Sequence, residues 1–196
     1  LITLASLSFC VGAFYVYLDH ASVGAVHSCS LPAQALLKKY AGTGAYTDCY
    51  ELEVAGAVSH AEFVEAFYTG RAFKVERFLL SLFFPIHSTD TQAKQLAVGE
   101  IDRYSGWRVE DRNTEQLLMC DLGSGRFRSW LMVAPQPGSV TAMTHLYFGS
   151  AVLPREISET GEPRMSKLFA PLLRFHRFYS QVLLDGARAR LAQSSR

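Results

Sequence analysis

Residues 107–154 constrain this chain most. The stretch WRVEDRNTEQLLMCDLGSGRFRSWLMVAPQPGSVTAMTHLYFGSAVLP holds four runs rich in β-branched, aromatic or large apolar residues. They are Trp107–Asp111, Gln116–Leu122, Arg126–Val133 and Thr141–Val152, separated by the turn-forming strings RNTE, GSG and APQPGS. Their spacing predicts consecutive antiparallel strands. Tyr46–Val54 (YTDCYELEV) is read as a further strand, at the start of the folded domain.

Helical patterns lie on both sides of this block. Ser59, followed three residues later by Glu62, predicts a capping box. The region His60–Phe84 then places Phe63, Val64, Phe67, Tyr68, Phe73, Val75, Phe78, Leu79, Leu82 and Phe83 at helical spacing. Gly70 breaks or bends this pattern and Pro85 ends it. A more polar helix is predicted from Thr89 to Arg103, capped by Ser88 or Thr89. Met165–Ala192 predicts a long final helix, with Phe169, Leu172, Phe175, Tyr179, Val182 and Leu183 among its apolar positions. A curved antiparallel sheet has an apolar face that must be covered, and a long terminal helix can lie across it. The expected fold is α+β: a helix-grip-like antiparallel sheet covered by a long C-terminal helix, preceded by one transmembrane helix.

Leu1–Leu18 (LITLASLSFCVGAFYVYL) contains no charged residue. At a helical rise of 1.5 Å it would extend about 27 Å, nearly the thickness of a bilayer core. This is longer than the apolar core of a cleavable signal peptide, and Tyr15 and Tyr17 suit an interfacial belt. The stretch is therefore read as an uncleaved anchor. Between Asp19 and Leu37 there is no Lys or Arg, which favours the non-cytoplasmic side for this flank. The expected organisation is a transmembrane anchor (1–18), a linker (19–44) and an α+β domain (45–192). The expected location is a bacterial inner membrane, single-pass, with the domain in the periplasm. Within the linker, Pro32–Tyr40 is a short amphipathic piece that lies near the membrane or against the domain.

Nineteen Lys and Arg face eighteen Asp and Glu, a net charge of +1. That balance argues against nucleic acid, whose phosphates need a basic face. The four cysteines, Cys10, Cys29, Cys49 and Cys120, lack the paired spacing of a zinc site. Two readings stay open for them: buried free thiols, or a Cys49–Cys120 bridge in an oxidising compartment. No nucleophile elbow, HExxH, P-loop or Gly-rich dinucleotide fingerprint occurs. No catalytic residue, cofactor or metal ligand is assigned.

Alternation along Arg126–Val133 puts Phe127, Ser129, Leu131 and Val133 on one face, and Arg126, Arg128, Trp130 and Met132 on the other. If the sheet encloses a pocket, Trp107, Arg128, Trp130, His145 and Tyr147 are the candidates to line it. His176, on the final helix, is a candidate for an anion contact there. The competing reading makes the rings ordinary core, pairs Arg128 with a carboxylate, and ties His176 or Arg177 to Glu65 or Glu76.

The strings VGEIDRYSGWRVE, QLLMCDL, RFRSWLMVAP, LYFGSAVLP and LFAPLLRFHRFYSQVL, taken together, resemble a helix-grip domain family of unknown function in the START/polyketide-cyclase (SRPBCC) superfamily. Trp107-Arg108-Val109, Ser129-Trp130-Leu131 and Phe175-His176-Arg177 are the residues that match, and the resemblance spans roughly Tyr46 to Arg190. Gly99-Glu100 stands where the family has Gly-Asp, the Rossmann domain of some members is not seen, and the sheet reads as shorter than the typical seven strands. The resemblance implies a site for apolar ligands between sheet and long helix, with catalysis in only some members.

Two functions follow as expectations. One is an accessory subunit that docks its domain onto a larger membrane complex through other membrane-protein subunits. The other is a membrane-tethered carrier of an apolar molecule such as a lipid or quinone. They differ in whether Phe63, Phe67, Phe78, Phe175 and Phe178 fill the grip. A weaker third reading is a cyclase-type enzyme using His145 or Tyr147.

Overall fold

The computed structural model describes residues 26–83, 87–136, 142–154, 156–157, 163–164 and 169–194. The anchor proposed for Leu1–Leu18 lies outside them. Among the described residues, no helix is long and apolar enough to cross a membrane.

An open antiparallel sheet of seven strands forms the centre: β1 (His27–Ser28), β2 (Tyr46–Ala55), β3 (Arg103–Tyr104), β4 (Trp107–Arg112), β5 (Gln116–Asp121), β6 (Phe127–Pro135) and β7 (Met143–Val152). Their spatial order is β1-β2-β7-β6-β5-β4-β3. The two strands before the helices join the later meander through β2, which pairs along its whole length with β7. A separate small ribbon pairs β8 (Glu156–Ile157) with β9 (Pro163–Arg164).

The sheet therefore has more strands than the alternation revealed. Both additions are two-residue edges. β3 turns into β4 through Ser105 (φ 48°) and Gly106 (φ 84°), a two-residue hairpin turn whose central residues both have positive φ.

The same region corrects the helix expected over 89–103. That helix stops at Ala97, where Gly99 adopts φ 83° and its N–H donates to Leu96, while the Glu100 N–H donates to Gln95. This double closure is a Schellman cap, which needs a left-handed residue that glycine supplies at least cost. The α-helices among the described residues are α1 (His60–Thr69), α2 (Arg71–Phe83), α3 (Asp90–Ala97) and α4 (Phe169–Ser194). Capping boxes open α1 (Ser59 with Glu62) and α3 (Thr89 with Gln92), so each satisfies otherwise orphaned N–H groups locally.

The helices lie on one face of the sheet. α1 packs against both α3 and α4, and α4 also touches β2 and β7. Between helices and sheet, Phe63, Phe67, Tyr68, Phe73, Tyr104 and Phe148 form one ring cluster with centroids 4.9–6.4 Å apart. Leu52, Leu117, Met119, Leu131, Leu146, Leu184 and Ala187 complete this core.

A second core occupies the opposite face. Leu37, Cys49, Leu118, Trp130, Met132 and Ala151 meet there beneath a strap, residues 29–40, which ends in a 3-10 helix (Leu36–Tyr40). The linker residues after Val26 are thus packed against the domain. Gly149 makes this closure possible: a Cβ there would come within 2.9 Å of Leu37 and 3.0 Å of Trp130.

Candidate functional site

Strand alternation decides what each polar side chain faces. On β6, Ser129, Leu131 and Val133 face the helices, while Arg128, Trp130 and Met132 face the strap, as the period of two requires. Tyr147 also packs into the strap-side core, whereas Trp107 packs against the helix-side core. His145 stacks on Tyr147 (centroids 6.1 Å apart, planes 17° apart), and His176 lies on α4. The six pocket candidates therefore do not converge on one site. Four belong to the face turned away from the helices. Trp107 stands on the helix side of the sheet and the other four strand candidates on the strap side, so these five do not line one common cavity.

On the strap face the polar groups form two sets, one at each end of the 3-10 helix. Gln116, almost fully buried, accepts from Trp130 Nε1 (2.9 Å) and from the Leu36 N–H (2.8 Å) through one oxygen. Its nitrogen donates to the Gln34 carbonyl (3.1 Å). One amide thus ties the strap to the sheet and satisfies the buried indole. Glu110 pairs with Arg128 and accepts from Tyr40, and Lys39 approaches it at 2.9 Å. Burial opposes ionisation of Glu110, yet the bonds from Tyr40 and Lys39 and the Arg128 charge hold its carboxyl below the usual range. Arg128 is therefore partnered with a carboxylate; its Nε also donates to Tyr40 OH (2.8 Å) and its Nη1 to the Gly125 and Phe127 carbonyls.

A second cluster joins α4 to the sheet. Asp48 accepts from the Ser150 N–H (3.0 Å), the Ser150 hydroxyl (2.7 Å), Tyr46 OH (3.1 Å) and His176 Nε2 (3.1 Å). Burial raises the Asp48 carboxyl, but the His176 bond and then the hydroxyl bonds outweigh it, leaving the carboxyl below its ordinary value. His176 Nε2 also lies 2.8 Å from Ser150 Oγ. A Ser, a His and an Asp meet here, but not as a relay. A nucleophilic relay needs the serine on one imidazole nitrogen and the carboxylate on the other, whereas both partners share Nε2. The arrangement docks a helix on a sheet. Arg177 Nε donates to Tyr46 OH (3.3 Å). The expected pairing of His176 or Arg177 with Glu65 or Glu76 is corrected: Glu65 meets Lys94 (3.6 Å) and Glu76 accepts from Tyr179.

Sequence reasoning missed Tyr46, Asp48 and Ser150. Alternation in β2 carried the signal, since Asp48 shares a face with Tyr50 and Leu52, both core residues. It also missed the buried His60, whose imidazole is pushed down to about 4 by burial and by the Arg112 charge.

His145 Nε2 lies 3.6 Å from Glu53 across the β2–β7 pair, and both are part-exposed. Among the described residues no cluster of His, Cys, Asp and Glu has the composition of a metal site. The described cysteines Cys29, Cys49 and Cys120 are free thiols, the first of the two readings; the Cys49–Cys120 bridge is corrected, since Cys49 Sγ lies 2.9 Å from Cys29 Sγ while Cys120 Sγ contacts the Asp121 carbonyl.

No protein-family model matches the chain, and no curated protein or solved structure matches it.

Proposed function

We propose that this chain is a single-pass, membrane-anchored accessory subunit whose helix-grip-like domain docks onto a larger membrane complex. The observation that carries this reading is the division of its aromatic residues. Phe63 and Phe67 are buried in the ring cluster between helices and sheet, whereas Phe78 on α2 and Phe178 on α4 are 63% and 39% exposed. The first pair occupies the space that a grip-bound apolar ligand would need. The second pair presents large apolar surface on neighbouring helices, the kind of residue that anchors protein interfaces. The anchor is residues 1–18, and the positive-inside argument puts the domain in the periplasm of a bacterial inner membrane.

Native mass spectrometry of the protein gently extracted from its own membrane tests this. Co-purification with larger membrane proteins at fixed stoichiometry, lost in a Phe78→Asp/Phe178→Asp variant with an unchanged circular dichroism spectrum, is the expected result. A free chain carrying a reproducible small apolar adduct would overturn it and establish the carrier instead.

A further inference from the structure

We propose that Cys29 and Cys49 are a redox site: they form a reversible disulfide that locks the strap onto the sheet. Register brings them together. β1 pairs with β2 so that Ser28 lies opposite Tyr50, and the Cys29 N–H donates to the Cys49 carbonyl at 3.0 Å. The next opposed pair is therefore Cys29 and Cys49. Directly opposed, hydrogen-bonded residues have α-carbons about 5.5 Å apart, within the range that a disulfide spans. The side chains use that proximity, since the two sulfurs are 2.9 Å apart. No backbone movement is needed to join them.

The two thiols have different parts in the reaction. Cys49 is 2% exposed, and its bond to Cys29 followed by burial pushes its thiol up. Cys29 is only part-buried, and the entering reagent meets it first. Its thiolate attacks a low-molecular-weight disulfide such as oxidised glutathione, forming a mixed disulfide and releasing one thiolate of the reagent. Cys49, giving up its proton, then attacks the Cys29 sulfur and expels the second reagent thiol. Two protein thiols become one disulfide, and one reagent disulfide becomes two thiols.

The bridge would close a loop of about twenty residues that contains the 3-10 helix. That helix carries Leu37 to Trp130 and Tyr40 to Glu110, so the oxidation state sets how firmly the second core is covered.

The test uses the full chain with Cys10→Ser and Cys120→Ser, leaving these two thiols. It is equilibrated with oxidised glutathione, alkylated, and digested with trypsin, which separates the cysteines by cutting after Lys38 and Lys39. A covalent link between peptides 1–38 and 40–71, removed by dithiothreitol, is expected. The oxidised protein should melt about 6–12 °C above the reduced form, a shift absent in Cys29→Ser. Both cysteines recovered alkylated, or glutathione retained on Cys29 alone, would overturn the proposal. Running the digest on the unsubstituted chain, with Cys10 distinguished by fragmentation, keeps the test valid if the substituted chain does not fold.

Discussion

On the helix-covered face, Phe63, Phe67, Tyr68, Phe73 and Phe148 meet through apolar surface, with Phe67 at the centre touching the other four rings. On the strap face, Trp130 is equally buried, but its cover is a short segment held by one amide, one carboxylate and the gap that Gly149 leaves. Apolar burial is non-directional and spread over many contacts. Buried polar bonds are directional, and losing one partner strands the other. The first face should therefore respond to lost volume and the second to lost geometry.

Truncating a central ring gives the largest effect. Phe67→Ala removes a side chain touched by Phe63, Tyr68, Phe73 and Phe148, and should cost about 3–5 kcal/mol in urea unfolding. A cost below about 1 kcal/mol would mean that the ring cluster is not the principal core.

The helix face also holds a pH-sensitive group. His60 is 8% exposed, with a folded value near 4 against an ordinary value of about 6.5. Between those values the unfolded chain binds a proton that the folded chain refuses, so stability falls as pH drops from about 6.5 to 4. The loss is about 3 kcal/mol, levelling off below pH 4. Comparing denaturant midpoints across that window for wild type and His60→Leu checks this, because the substitution should flatten that part of the profile.

Three changes probe the strap face. Glu110→Ala leaves Arg128, with a 9% exposed side chain, without its carboxylate, and should cost about 2–3 kcal/mol. Lys39→Ala removes a 44% exposed partner of the same carboxylate and should cost less than about 1 kcal/mol. Equal losses for the two would contradict the assignment of Arg128 as the buried partner. Gly149→Ala should cost about 1–3 kcal/mol by forcing Leu37 and Trp130 apart. Proteolysis between Cys29 and Tyr40 should quicken in that variant if the loss comes from lifting the strap.

Much of this architecture was legible in local pattern. The capping boxes at Ser59 and Thr89 depend on residues three apart, and the two faces of β6 follow from alternation alone. The Tyr104-Ser105-Gly106-Trp107 hairpin was also within reach, since Ser-Gly is a turn signal, but the expected helix was carried to Arg103, the first residue of β3. β1 was not legible, because a two-residue edge has no periodicity to detect. The candidate residues were correctly assigned to faces within β6, yet they were gathered into one pocket with residues from the opposite side. That grouping required knowing where the helices lie.

By itself the sequence determined the α+β class, the central antiparallel strands, the start of α1 and the burial of Phe63 and Phe67, because each rests on interactions between residues close in the chain or on simple apolar periodicity; the same periodicity wrongly put Phe78 and Phe178 in the core, where they are exposed. Only the tertiary structure decided that β2 closes on β7, that α4 docks through Asp48 and Ser150, and that residues 29–40 cover the second face. Those choices join residues from 20 to more than 100 positions apart. Alternation says that a strand has two faces, but which element covers each is set by the path of the whole chain.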